Sequence, residues 1–311
     1  MSNRFRPAWL LVLAALSTSA LAKAPETVNI GYQKANIFAL LKYRGTLDES
    51  LKKQGIAVRW VEFPAGPQML EGLNVGSIDL AATGDAPPAF AQAAQADLVY
   101  LAHSPANPKT EAIVVPEQSA IHSVADLKGK RVGLNKGSDV NYLLVAALEK
   151  AGLSYKDITP VYLPPADARA AFQRGAIDAW VIWDPFLAEV ETNAKARQIA
   201  EGLVPHYTFY LASRKFADTY PETAKQVVDE LGKLSAWANS HQDEAAGLLS
   251  TSTGLDKAIW LKTLARLPYG AERMTPAVYN EQQALADTFT RIGLLPVKVD
   301  VRSATWSLDK P

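Results

Sequence analysis

Short apolar runs alternate along this chain with stretches in which apolar residues recur every three or four positions. The first run, Val28 to Tyr32, reads as a strand. A helical stretch from Phe38 to Gln54 comes next, ended by Gly55, and then a strand from Ile56 to Phe63. After the turn Pro64-Ala65-Gly66-Pro67, Met69, Leu70, Leu73 and Val75 fall at helical spacing, and Ile78 to Ala82 is a further buried strand. An Ala-rich helix to Ala96 and the strand Leu98 to His103 complete the set. This βαβαβ order predicts a mostly parallel sheet with right-handed crossovers, whose ligands sit at the carboxyl ends of the strands.

The pattern then occurs a second time. Gly76-Ser77-Ile78-Asp79 through Asp85 matches Gly175-Ala176-Ile177-Asp178 through Asp184 at a constant offset of 99 residues. Ile30-Gly31-Tyr32-Gln33-Lys34 is mirrored by Val132-Gly133-Leu134-Asn135-Lys136 at an offset of 102. Trp60 to Ala65 corresponds to Pro160 to Pro165 at about the same spacing. Three strand-to-turn units in one order, about a hundred residues apart, predict two similar lobes rather than a solenoid, whose periods are shorter.

Asn107-Pro108-Lys109 marks the departure from the first lobe, and Ile113 to Val115 the first strand of the crossing. In the second lobe, Arg131 to Leu134 is a strand, and Gly137-Ser138-Asp139 opens an amphipathic helix that runs to Gly152. A strand at Val161, a helix from Ala166 to Arg174 and a strand from Asp178 to Ile182 continue it. The alternating segment His206 to Ala212 is the expected return crossing, and the remainder is helical. Trp237, Leu248, Trp260 and Leu264 are expected core contacts of that C-terminal run, which packs back on the first lobe. The expected division is residues 23–108 with 208–311 for lobe one and 109–207 for lobe two.

Thr83-Gly84-Asp85 ahead of Pro87, and Gly137-Ser138, are helix starts following strands. Free backbone N–H groups there suit an anion; each set also reads as simple N-capping. Trp183, where its strand breaks, reads equally as rim packing or as a platform for a ligand.

Composition narrows the function. Arg4 and Arg6, the apolar stretch Ala8 to Leu16 and Ala20-Leu21-Ala22 form a secretory signal over residues 1–22, with cleavage expected before Lys23. The break at Ser17-Thr18-Ser19 leaves the segment short of the roughly 20 apolar residues of a membrane span. Lys+Arg and Asp+Glu both number 32, a balance that suggests no nucleic acid. Without cysteine there is neither disulfide, thiol nucleophile nor lipid-modified N-terminal Cys. The four histidines show no H-x-x-x-H spacing, and G-x-S-x-G and a dinucleotide fingerprint are absent. His103 and His206 lie near the crossings, where a lone histidine serves packing more often than ligation. No cofactor and no metal are expected.

Trp60 to Glu71, Asn74 to Leu80, Thr83-Gly84-Asp85, Phe90 to Ala94, Asp178 to Pro185 and Val297 to Arg302 together resemble the periplasmic aliphatic sulfonate-binding proteins of ABC importers. The resemblance spans nearly the whole chain beyond the signal. It implies a type II periplasmic-binding-protein fold: two α/β lobes, each a mostly parallel sheet flanked by helices, closing on a sulfonate. It places Gln33, Thr83, Gly84, Asp85, Gly137, Ser138 and Trp183 at the cleft. It implies a periplasmic, monomeric receptor, not an enzyme, that delivers alkanesulfonates to a membrane permease and its ATPase. Taurine or nitrate is the alternative cargo; an enzyme on the same scaffold and a sensor that signals by closing are the other classes. One departure stands out. Where the family pattern often has Asn and His, this chain has Asp139 and Asn141, and a carboxylate facing inward there repels a sulfonate.

Overall fold

A computed structural model describes residues 24–34 and 36–307; the expected signal segment lies outside them. The first sheet holds β1 (Thr27–Tyr32), β2 (Ala57–Glu62), β3 (Leu80–Thr83) and β4 (Leu98–His103), joined by α1 (Ile37–Arg44), α2 (Thr46–Lys52), α3 (Gly66–Asn74) and α4 (Ala86–Ala93). The chain then crosses into β5 (Glu111–Pro116), β6 (Arg131–Leu134), α5 (Asp139–Lys150), β7 (Thr159–Tyr162), α6 (Pro165–Gln173), β8 (Ala179–Trp183), α7 (Phe186–Asn193) and β9 (Ala196–Glu201). It returns through β10 (Phe209–Ser213) and ends in α8 (Arg214–Thr219), α9 (Pro221–Ser240), α10 (Gln242–Thr253), α11 (Lys257–Arg266) and α12 (Pro276–Arg291).

The two sheets have one topology: β2-β1-β3-β10-β4 and β7-β6-β8-β5-β9. In each, three neighbouring strands are parallel, and the strand that arrives from the other lobe, β10 or β5, inserts antiparallel. The molecule is thus a two-lobed α/β protein.

Packing explains the repeated residues. A Cβ on Gly31 would collide with the side chains of Ile78 and Met69, and one on Gly133 with Ile177, so each isoleucine lies flat across a glycine of the neighbouring strand. Immediately after each isoleucine an aspartate ties the same strands together. Asp79 Oδ2 accepts from Asn29 N at 2.8 Å, and Asp178 Oδ2 from Arg131 N at 2.8 Å. The Gly–Ile–Asp set is therefore a register lock.

Two expectations need correction. The single helix over Phe38 to Gln54 is two helices broken at Gly45, whose φ of 72° gives α1 a left-handed C-cap. Strand β9 was not anticipated, because ARQIAE lies at a sheet edge with half-buried side chains up to the exposed Glu201 and shows no alternation. In the C-terminal run, Trp260 and Leu264 are core residues, while Trp237 and Leu248 are only partly buried against the same cluster.

Candidate functional site

Helices that come directly after strands converge between the two sheets. Gln33, Asn36 and Ile37 at the start of α1, Gly66 at α3, and Thr83 with Gly84 before α4 line one side of a cavity of about 70 Å³. Ser138 and Asp139 at α5 and Trp183 with Asp184 before α7 line the other. Five helix starts, three from one sheet and two from the other, thus face one space. This is the consequence of carboxyl strand ends pointing inward in both lobes, and it surrounds the cavity with positive dipole ends.

Five of the seven residues singled out from sequence, Gln33, Thr83, Gly84, Ser138 and Trp183, line this cavity. Asp85 and Gly137 do not. Asp85 is buried behind α4, where its backbone carbonyl accepts Gln282 Nε2 at 2.6 Å. Gly137 has φ 73°, lies against the Phe90 ring, and its N–H donates to Asn141 Oδ1 at 3.2 Å. That amide is committed inside the protein.

The donors left for an anion differ between the two starts. In α4 the prolines Pro87 and Pro88 remove two of the N–H groups that a helix normally leaves free. In α5 no proline intervenes. Ser138 is its N-cap residue, yet its hydroxyl donates to Asn135 O at 2.7 Å instead of capping the helix. Thr83 Oγ1 likewise donates to Gly84 O at 3.0 Å. With these hydroxyl protons occupied, backbone amides remain the principal donors here.

Sequence reasoning missed several lining residues. Asn36 caps α1 by accepting from Ala39 N, while its own amide donates to Ala82 O; an Asn just past a strand end was a legible signal. Asp184 was legible as the repeat partner of Asp85. Leu267 and Tyr269 come from the loop after α11 and had no signal. Asn239 holds that loop from both sides, donating to Tyr269 O at 2.8 Å and accepting from Tyr269 N at 3.0 Å. The Tyr269 hydroxyl is buried without a partner among the described residues.

Asp139 faces the cavity, but it is not a bare carboxylate. His206 Nε2 lies 3.3 Å from its Oδ2. Burial lowers the pKa of this imidazole, and the Glu111, Asp139 and Asp85 carboxylates more than reverse that, so the net direction is upward. Burial also raises the pKa of Asp85 and of Glu111, which His206 partly offsets. Elsewhere on the same wall, burial pushes the Asp184 carboxyl up to about 7 against the pull of Arg266, whose Nη1 is 3.6 Å away. Arg266 also pairs with Glu191, as does Lys262 at 2.8 Å, so α11 is tied to α7 by charge.

Asp139 and Gly84 are one place where the lobes come into close contact. The Asp139 carboxylate occupies the space in which a side chain on Gly84 would stand. Only glycine fits there.

A family model described as "NMT1/THI5 like" matches residues 51–245. This chain belongs to the NMT1/THI5-like family. Within it, an aliphatic sulfonates-binding protein of Escherichia coli K12 is 44% identical over 300 residues, covering 94% of this chain and 93% of the relative. The alkanesulfonate-binding protein SsuA of Xanthomonas axonopodis pv. citri, solved bound to MOPS, superposes with a TM-score of 0.88 at 43% identity, covering 92% of this chain and 99% of that one. The desulfurization enzyme DSZB shares the fold at a TM-score of 0.65 and 16% identity, covering 90% and 96%. This NMT1/THI5-like chain is therefore a member of the aliphatic sulfonate-binding group, on a scaffold that elsewhere carries enzymes.

Proposed function

We propose that this chain is an extracytoplasmic solute-binding protein that captures aliphatic sulfonates and presents them to an ABC permease. The observation that carries the reading is the ring of five helix starts around one cavity, in a chain so similar to sulfonate-binding relatives. Backbone amides and helix dipoles hold a permanently ionised group without needing a lysine or arginine in the lining. Gln33, Thr83, Gly84, Ser138 and Trp183 are proposed contacts, with Asp85 and Gly137 supporting the helix starts from behind. Trp183, Ile37, Leu267 and Tyr269 supply the apolar wall for a short alkyl chain. The proposed lobes are residues 23–108 with 208–311 and residues 109–207, hinged at the two crossings, with the signal segment removed in the periplasm. The role is binding, not catalysis. Among the described residues no helix is long and apolar enough to cross a membrane.

Calorimetry and melting curves with alkanesulfonates, taurine, sulfate and nitrate test this. A sulfonate at about 100 times its dissociation constant is expected to add ~2.7 kcal/mol of stability. Ser138→Asp, which sets a second carboxylate beside Asp139, is expected to abolish binding. A protein stabilised by nitrate and by no sulfonate would falsify the assignment.

A further inference from the structure

The two crossings bring together three ionisable side chains that are far apart in sequence. Glu111 opens β5, Asp139 opens α5, and His206 lies in the segment between β9 and β10; a ligand-type atom of each lies within 4.8 Å of the others. Glu111 is fully buried, and neither of its carboxylate oxygens has a hydrogen-bond partner among the described residues. The Asp139 side chain keeps 13% exposure and, like His206, lines the cleft, which leaves a route in from solvent.

Hydrogen bonds settle which nitrogen of His206 faces the cluster. Thr110 Oγ1 donates to Asn107 O at 2.8 Å and so can only accept from His206 Nδ1, 2.8 Å away. Nδ1 therefore carries a proton, and Nε2 points at Asp139 Oδ2, 3.3 Å away. Two ligands on a tetrahedral ion, each at about 2.0–2.2 Å, stand roughly 3.4 Å apart. The outer nitrogen anchored by a neutral oxygen and the inner one turned to a carboxylate is the arrangement that orients a metal-ligating histidine. The backbone at His206 has φ 48°, an uncommon conformation for a non-glycine residue.

We propose that Glu111, Asp139 and His206 form a binding site for a divalent cation of the zinc class in the wall of the cleft. Two carboxylates balance a double positive charge and, with an imidazole that releases its Nε2 proton to solvent as the ion enters, suit zinc, and the unpartnered Glu111 carboxylate gains a partner when it draws in on the ion. The fourth position opens toward the cavity. This site does not depend on the identity of the cargo.

The test uses the whole protein stripped of metal with a chelator and then dialysed, without any sulfonate. Titration with ZnCl2 in the calorimeter is expected to show one equivalent bound and a rise in melting temperature. Glu111→Gln and His206→Ala, checked for folding by circular dichroism, are expected to weaken uptake at least tenfold, and Thr110→Val to weaken it about tenfold through the lost anchor. Should those variants fail to fold, Co2+ added to the unaltered protein is expected to shift the exchangeable Nδ1 proton of a histidine into the paramagnetic region of the NMR spectrum. No uptake by the parent protein, uptake undiminished in folded variants, or a Co2+ spectrum without that proton overturns the proposal.

Discussion

Asp85 and Asp184 stand at the same place in the repeated unit, 99 residues apart, and do different things. Each ends a buried strand and precedes a helix, and burial raises the pKa of each. Asp184 reaches round to accept Ala188 N at 2.9 Å, faces Arg266 from the other lobe, and lines the cavity. Asp85 makes no side-chain cap and is shut away from the cavity, its charge answered by His206 of the crossing. The first helical turns differ as well. Pro87 and Pro88 lack the amides two and three residues beyond Asp85, whose side chain makes no cap bond, whereas Asp184 accepts from Ala188 N in the first turn of α7. A repeated sequence unit thus repeats its fold, while its chemistry is set by neighbours that do not repeat.

The largest expected effect comes from the point where the two copies touch. Gly84→Val places a side chain where the Asp139 carboxylate stands, and overpacking of that kind costs about 1–3 kcal/mol. Because the clash exists only with the lobes together, the loss is expected in sulfonate affinity, about tenfold or more, with little change in the melting of the free protein. Equal affinity by calorimetry would show that the Gly84–Asp139 contact plays no part in closure.

A second effect is read at Asp184 through pH. The Asp184 carboxyl in the folded protein holds its proton up to about 7, against 3.8 unperturbed. The folded state therefore carries the extra proton between those values, so this group's contribution makes stability fall as pH rises from about 4 to about 7 and level off above. Replacing it by Asn is expected to flatten the slope by up to about 1.4 kcal/mol per pH unit. Urea titrations of Asp184→Asn and the parent across this window check it; parallel curves would mean that Arg266 neutralises the charge fully.

The smallest effect concerns a residue with no counterpart in lobe two. Tyr269→Phe removes a buried hydroxyl whose partner is expected to be the ligand, at a cost in affinity of about 0.5–1.5 kcal/mol. Stability without ligand is expected to hold or to rise, because the hydroxyl has no partner to lose among the described residues. A variant that melts lower but binds as well would place the hydroxyl in the fold instead of the site.

Much of this architecture is local and was therefore legible. Strand and helix periods, the glycines under Ile78 and Ile177, and the aspartates after them are short-range constraints written into consecutive residues, so the strands of both sheets other than β9 could be derived. The carboxyl strand ends follow from that order, which is why Thr83, Gly84, Ser138 and Trp183 could be pointed to, while Gln33 was implied by the family resemblance. The features that the chain alone did not reveal depend on residues distant in sequence. The meeting of Glu111, Asp139 and His206, the clasp of Asn239 on the Tyr269 loop, and the pairing of α11 with α7 have no spacing that signals them. Whether Asp139 acts as a repelling carboxylate or as half of an ion pair was likewise undecided until the return crossing set His206 against it. Periodicity reports which face of an element is buried; only the packed lobes decide which charges share the buried space.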